Sequence, residues 1–324
     1  MKKTILILYN KISKNPSEDE LDVLEQVKMV SSALVDMDYQ VKELQLDMNL
    51  EKAIREIEKI NPYIVFNLVE SINNKGEFAY FAPSLLSSLN IPFTGNPLVP
   101  MFISANKVMA KKELKRLKIP TPGWLMTDEM SKIRKNKKYI LKPVWEEGSL
   151  GLDEDSIFDG SNGDYIEKVA LKDKQYYFVE EFIEGREFNV SILGTKEGPK
   201  VLPMAEMTFL KFPEGKPKIM GYTAKWKEDS FEYTHTRRTF KIPKSDQDIN
   251  DKIREICEKC WNEIGFKGYV RIDFRVSADR VPYVIDLNLN PCISLSGGFV
   301  AASEKAGYKF IQIVQYLLDE AFRK

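Results

Sequence analysis

A single histidine, His235, stands in 324 residues. That excludes a metal centre or mechanism needing several histidines and leaves little for a Ser-His-Asp or Cys-His nucleophile. Three cysteines are too few for a disulfide framework. Cys257 and Cys260 form a C-x-x-C, but they lie inside a helical pattern over 249–264 whose stripe includes Ile253, Ile256, Cys260 and Ile264. Without a second ligand pair, that spacing favours core packing over redox or zinc chemistry, and a reducing, cytoplasmic setting fits. Net charge is also lacking. Lys+Arg and Asp+Glu both count 48, so no global field draws nucleic acid or an anionic membrane. No apolar run reaches the length of a transmembrane helix. The opening Met1-Lys-Lys-Thr-Ile-Leu-Ile-Leu-Tyr turns polar at Asn10, too soon for the apolar core of a signal peptide. No G-x-G-x-x-G follows the first strand and no G-x-x-x-x-G-K-[ST] occurs, so neither a dinucleotide fingerprint nor a P-loop is present.

What is there begins with alternation. Residues 4–9, 39–44 and 63–68 read as strands, and 19–34, 50–59 and 81–89 as helices. Strand–helix alternation with short links predicts a parallel α/β sheet. A helix over 104–117, with Ser104 as its N-cap, places Lys107 in the first turn. A cation there opposes the helix dipole by about 0.3–1 kcal/mol unless an anion sits nearby. A helix that is merely lysine-rich, with Lys111, Lys112 and Lys115, is the plainer reading. Strand 139–142 ends in Lys142, and Glu146-Glu-Gly-Ser-Leu-Gly151 follows. Gly148, Ser149 and Gly151 make a pliable loop whose N–H groups can close over phosphate oxygens. Strand 175–182 ends in Glu180-Glu181-Phe182-Ile183, with Gly185-Arg-Glu187 and a further strand over 188–193 after it. Such a junction offers backbone groups to an adenine edge and a carboxylate to ribose hydroxyls; an acidic solvent-facing turn is the alternative. Residues 204–210 and 222–226 look strand-like, the latter carrying the isolated Lys225, and 299–318 closes the chain as one or two helices.

The most informative stretch runs from Gly268-Tyr-Val-Arg-Ile-Asp-Phe-Arg-Val to Val281-Pro-Tyr-Val-Ile-Asp-Leu-Asn-Leu-Asn-Pro291, two alternating runs around a short polar break. A turn centred on Asp279-Arg280 sets Asp273 opposite Asp286 and Arg271 opposite Asn288. Arg271, Asp273, Asp286, Asn288 and Asn290 then share one face, and Ile272, Phe274, Ile285 and Leu287 the core face. Facing carboxylates repel by a few tenths to ~1 kcal/mol. A hard cation removes that cost, and two Asp carboxylates with an Asn oxygen are ligands Mg²⁺ accepts. A solvated charged face, with Arg271 and Arg275 as counter-ions, is the competing reading.

In chain order these segments resemble the ATP-grasp superfamily, most closely its D-alanine–D-alanine ligase branch. The matching pieces are Val65-Phe-Asn, Ile91-Pro-Phe-Thr-Gly-Asn, Asn106-Lys107, Ile119-Pro-Thr-Pro, Lys142-Pro with its loop, Glu180 through Gly185-Arg-Glu187-Phe, Ala224-Lys225, Arg271-Ile-Asp273 and Asp286-Leu-Asn288-x-x-Pro291. The resemblance implies an α/β and α+β architecture of three parts: an N-terminal α/β domain (1–100), a central ATP-grasp lid (101–185) and a C-terminal α+β domain with the metal site (186–324). It implies a ligase in which a carboxylate takes the γ-phosphoryl group of ATP, an amine attacks the acylphosphate, and an amide, ADP and phosphate result. Lys107 and Lys142 would bind phosphates beneath the loop carrying Gly148, Ser149 and Gly151. Glu180, Glu181, Phe182 and Ile183 would hold adenine, and Glu187 the ribose. Lys225 would reach the terminal phosphate. Asp273, Asp286 and Asn288 would bind two Mg²⁺ ions, with Mn²⁺ an alternative. Arg271 would stabilise the tetrahedral oxyanion, with Lys225 and Ser149 beside it in the catalytic set. The implied partners are a small-molecule carboxylate and an amine, amino acids or short peptides, with no nucleic acid and no membrane. Relatives commonly dimerise through the N-terminal domain.

The departures cluster. Asp286 stands where the family usually has Glu, Trp226 where a Tyr commonly follows the third lysine, Gly148 where a second lid Ser is usual, Gly297 where a Ser holds the acceptor carboxylate, and Cys292 where a Gly is usual. The usual Glu after strand one is missing from its context, with Glu18 or Glu20 as substitutes. All of these are read as touching the amino-acid site and sparing the nucleotide site. A carboxylate–amine ligase whose substrates are not two D-alanines follows. A divergent D-alanine–D-alanine ligase and a non-catalytic nucleotide-binding protein are the alternatives.

Overall fold

The computed structural model describes residues 2–145 and 151–323, Asp19 by its backbone alone. Three sheets follow one another along the chain. The first is parallel, in the order β2 (Gln40–Leu46), β1 (Thr4–Asn10), β3 (Ile64–Leu68). Its middle strand is apolar because it is covered on both faces, Ile5, Leu6, Ile7 and Leu8 all being fully buried. The helix Glu18–Asp36 returns the chain from β1 to β2 and opens with a capping box at Ser17. The Glu20 carboxylate accepts from the Ser17 N–H at 3.2 Å and from the Ser13 N–H and hydroxyl at 2.9 Å each.

The second sheet is antiparallel, in the order β4 (Trp124–Met126), β7 (Tyr177–Glu181), β5 (Lys138–Pro143), β6 (Ile157–Asp159). The third runs β11 (Thr236–Thr239), β10 (Ala205–Phe209), β8 (Arg186–Thr195), β12 (Tyr269–Val276), β13 (Pro282–Asn288), with β9 (Gly198–Val201) also paired to β8. The helix Gln247–Ile264 packs on its apolar face, and Cys257 and Cys260 lie fully buried there beside Ile272 and Phe274. Burial pushes both thiols up, that of Cys260 to about 12, so they behave as core residues. No helix among the described residues is long and apolar enough to cross a membrane.

Four expectations change. Residues 104–117 are not one helix: Leu98–Ala105 ends and Lys107–Arg116 begins, with Asn106 between them. Asn106, not Ser104, is the cap, accepting the Met109 N–H at 2.9 Å; the buried Ser104 hydroxyl turns back to the Met101 carbonyl. Residues 222–226 form a short helix, not a strand, because Asp153 receives the Thr223 N–H at 3.0 Å and its hydroxyl at 3.0 Å and nucleates the turn. In the hairpin, Asp273 pairs with Asp286 and Arg271 with Asn288 as expected, but the register shifts between Asp273 and Phe274. This bulge leaves Ile285 unpaired. Val284 therefore takes the core position, and Ile285 is half-buried in the cleft described below.

Several motifs prove to be joints. Asn96 donates to the Tyr269 and Leu289 carbonyls at 3.1 and 2.8 Å and accepts the Lys267 N–H at 2.8 Å, fastening the first sheet's end to the hairpin. Pro120 accepts the Val284 N–H at 2.9 Å and Thr121 donates to the Val284 carbonyl at 2.9 Å. Gly185 joins the second sheet to the third at φ +146°, and a Cβ there would collide with the Val276 carbonyl oxygen. Gly185→Ala is expected to cost about 1–3 kcal/mol, read as a lowered melting temperature, while Gly163→Ala, in open space, leaves it unchanged.

Candidate active site

The second and third sheets face each other across a cleft of about 950 Å³. Its floor is the charged face of the hairpin. Arg271 donates to both oxygens of Asp273 at 2.8 Å each, and Asn189 of β8 adds a third bond to that carboxylate at 2.8 Å. Across the ladder, Asp286 accepts from the Lys107 ammonium at 2.7 Å. Burial works against the Asp286 carboxylate, but the Lys107 charge and hydrogen bond, with the Lys142 and Arg271 charges, together outweigh it and hold the group below the usual carboxylate range. Lys107 is aimed from the start of its helix because its backbone N–H is tied to the Val144 carbonyl at 2.9 Å, at the end of β5. The Asn288 amide oxygen accepts the Asn290 N–H at 3.0 Å. Asn288 lines a smaller chamber that adjoins the cleft and shares Arg271 and Lys225 with it.

The roof carries a buried charge triad. Lys142 donates to Glu180 at 2.6 Å, and Lys111 forms an ion pair with the other Glu180 oxygen. Lys111 is thus no surface lysine of a lysine-rich helix: it is 3% exposed and also donates to Thr121 at 2.9 Å. Burial, aided by the nearby Lys142 charge, lowers its pKa to about 8 against the pull of Glu180. Burial alone would raise the Glu180 carboxylate; its two lysines more than offset that. At the far end, Glu187 accepts from Arg275 at 3.0 Å. Burial raises its pKa even so. Arg275 also donates to the Ile183, Gly185 and Lys218 carbonyls and lies 4.7 Å over the Phe182 ring. It therefore shapes the strand that supplies Phe182 and Ile183 to the cleft.

Of the expected site residues, Lys107, Lys142, Glu180, Phe182, Ile183, Glu187, Lys225, Arg271, Asp273 and Asp286 line this one cleft. Glu181 alternates to the other face of β7 and pairs with Lys137 at 2.6 Å. Gly148 and Ser149 lie outside the described residues. Gly151 is exposed at φ +68°. Lys225 lies with its ammonium 4.9 Å over the Trp226 ring, and burial together with the Arg271 charge lowers its pKa.

Gln26, Asp22, Glu70 and Arg238, which sequence patterns did not single out, gather near Cys292 and Gly297 beside the cleft and the chamber. Gln26 donates to Asp22 at 3.2 Å and Glu70 at 2.9 Å and accepts the Ile293 N–H at 3.1 Å, drawing two carboxylates and the loop after β13 together. Cys292 donates its thiol proton to Asp22 at 2.8 Å, and burial and that carboxylate push the thiol up. Glu20 is spent on its capping box, whereas Glu18 lines the cleft. Arg238 of β11 reaches the start of the helix Gly298–Lys305, its guanidinium about 3.6 Å from where a Gly298 Cβ would stand. Its buried Nε has no hydrogen-bond partner among the described residues. A Cβ at Gly297 would sit 2.7 Å from the Cys292 carbonyl oxygen and 2.9 Å from that of Ser294, so this loop has no room for a serine there.

Over residues 123–319, more than half of the chain, the sequence matches the D-ala D-ala ligase C-terminus family. The chain belongs to the D-alanine–D-alanine ligase family. Among curated relatives, the D-alanine–D-alanine ligase of Aquifex aeolicus is 28% identical over 309 residues, spanning 93% of this chain and 96% of its own. That of Pelagibacter ubique is 28% identical over 330 residues, spanning 99% of each. The solved D-alanine–D-alanine ligase from Bacillus anthracis, complexed with ATP, superposes with a TM-score of 0.75 at 18% identity, over 99% of this chain and 98% of that one. The ATP-grasp fold is therefore established. In this chain the hairpin donors are all oxygens: two carboxylates facing each other and an amide. Among the described residues no three or more Asp, Glu, His or Cys side chains form a cage for a metal. The donor set fits a Mg²⁺ ion that completes its shell with phosphate oxygens and water.

Neutralising the centre of the buried triad tests its role. Glu180→Gln leaves two buried ammonium groups without a counter-charge and is expected to lose ~3–5 kcal/mol of stability in chemical denaturation.

Proposed function

We propose that this chain is an ADP-forming carboxylate–amine ligase that joins two amino-acid substrates other than a pair of D-alanines. The observation that carries this is the convergence of lysines from three separate segments and one arginine on the facing pair Asp273 and Asp286. Phosphoryl transfer needs positioning and charge neutralisation more than covalent help from the protein, and no histidine is required. Asp273, Asp286 and Asn288 would hold Mg²⁺, which supplies neutralisation of the triphosphate when bound. Lys107 and Lys142 give up part of their contact with Asp286 and Glu180 to phosphate oxygens. Phe182, Ile183 and Glu187 form the nucleoside end. A donor carboxylate oxygen bonds to the γ-phosphorus as the bond from that phosphorus to the ADP oxygen breaks. The acceptor nitrogen then bonds to the acyl carbon, phosphate leaves with the C–O electron pair, and the nitrogen loses a proton. Arg271 faces the oxyanion of that second step. Three units, 1–100, 101–185 and 186–324, would close on these substrates in the cytoplasm.

The relatives' names favour D-alanine as both substrates. Gly297, which cannot become serine without moving its loop, and Arg238, a cation at the same helix start, favour a different acceptor, one whose acid group meets a guanidinium.

Mg-ATP should raise the melting temperature, and ADP release should require amino acids beyond D-alanine. High turnover with D-alanine alone would refute the substrate reading. A rise in melting temperature with no turnover across a full amino-acid panel would leave only nucleotide binding. Arg271→Ala should lower kcat by about 10²–10³-fold, or ~2.7–4 kcal/mol, while the Mg-ATP thermal shift persists.

A further inference from the structure

Beside the cleft, and opening from it at Arg271 and Lys225, lies the chamber of about 350 Å³. It sits beyond the carboxyl ends of β1 and β3, where the order β2-β1-β3 reverses direction, and open α/β sheets receive ligands at that point. Its walls are part apolar, with Val69, Ala79, Met101 and Ala105. At its end stands Asn10, the last residue of β1, only 2% exposed. The Asn10 side-chain oxygen is buried and accepts no hydrogen bond among the described residues. Buried amide groups are nearly always paired, and one left unpaired costs about 1–3 kcal/mol. Of the acids here, Glu20 is engaged by Ser13, Ser17 and Asn74, and Asp22 by Gln26 and Cys292.

On the ligase reading above, the reacting carboxylate lies where chamber and cleft meet, against Arg271. We propose that the chamber takes the rest of the donor: an amino acid with a side chain longer than alanine's, ending in a neutral amide or hydroxyl that pairs with Asn10. The α-ammonium faces Asp22 and Glu70, which stand in the chamber wall. The side chain extends past the apolar wall. A methyl group, with roughly the volume of one water, ~30 Å³, leaves most of the chamber unfilled. A charged end is disfavoured, because Asn10 offers an uncharged partner and the Glu20 carboxylate is already saturated with donors.

Hydroxylamine isolates the donor half-reaction: its nitrogen bonds to the acyl carbon of the acylphosphate, phosphate leaves, and a hydroxamate forms after loss of a proton, whatever the natural acceptor. With Mg-ATP and hydroxylamine, both enantiomers of alanine, serine, asparagine, glutamine, leucine and lysine are compared. Asparagine, glutamine or serine should exceed alanine at least tenfold in kcat/KM. Asn10→Ala should cut that ratio about tenfold, with Asn10→Asp as the same-sized control for folding. Alanine or leucine equal to every amide and hydroxyl donor overturns the assignment, even with the ligase intact. So does a ratio that survives Asn10→Ala. No hydroxamate from any donor, although Mg-ATP raises the melting temperature, sinks the ligase reading and this one with it.

Discussion

Two carboxylates face each other across one rung of β-sheet, and the cleft is arranged around that repulsion. Asp273 and Asp286 are brought together by the backbone register, and side-chain rotation cannot separate the strands that carry them. Arg271 and Asn189 quieten one, Lys107 the other. The same cations have the charge and reach to serve phosphate oxygens or a developing oxyanion. On the proposed function, the protein carries a neutralised form of its own site, in which substrate oxygens and a divalent ion would take over contacts that side chains make among themselves. Exchange of this kind lowers the cost of desolvating a highly charged ligand, because buried partners are already oriented.

A second layer of buried pairs keeps those groups aimed. Glu180 sits between Lys142 and Lys111, and Glu187 is held by Arg275, which also grips three carbonyls around the junction of the two sheets. Buried ion pairs contribute little net stability compared with apolar packing, and much more is lost when one member is removed. Their value here is positional. Lys142 and Glu187 both line the region proposed for the nucleotide, each fixed by a buried partner in the same cleft. Asn96, Thr121 and Gly185 do the corresponding work on the backbone, so several of the motifs that carry the family resemblance are joints between sheets.

The part of the cleft proposed for the nucleotide was the more legible in the sequence, because its signals repeat. A strict alternation of period two put Asp273 and Asp286 on one face and implied their pairing. Lys142 at a strand end and the isolated Lys225 were visible as single cations, whereas Lys107 was hidden among the lysines of its helix. The bulge that turns Ile285 into the cleft was not legible, since Val284 and Ile285 are both apolar and hide the one-residue shift in phase. Nor was the break at Asn106, where two helices abut with one capping residue between them. The end proposed for the amino acids was nearly silent. Asn10 ends a buried strand, Arg238 lies in a short polar strand, and Asp22 and Glu70 are single acids in elements far apart in sequence. Only the fold, through Gln26 and the loop at Cys292, makes them neighbours. Departures from the family pattern at Gly297 and Cys292 marked where to look, without saying what would be found.

The central claim is that the facing carboxylates exist to hold a metal-bound triphosphate. Titration calorimetry of ATP into the protein, with excess Mg²⁺ and again with excess chelator, for the wild type and Asp286→Asn, measures this directly. Affinity that depends on Mg²⁺ in the wild type and falls at least tenfold in the variant, about 1.4 kcal/mol, is the predicted result. Equal ATP affinity with and without the metal, unchanged by the substitution, would contradict it.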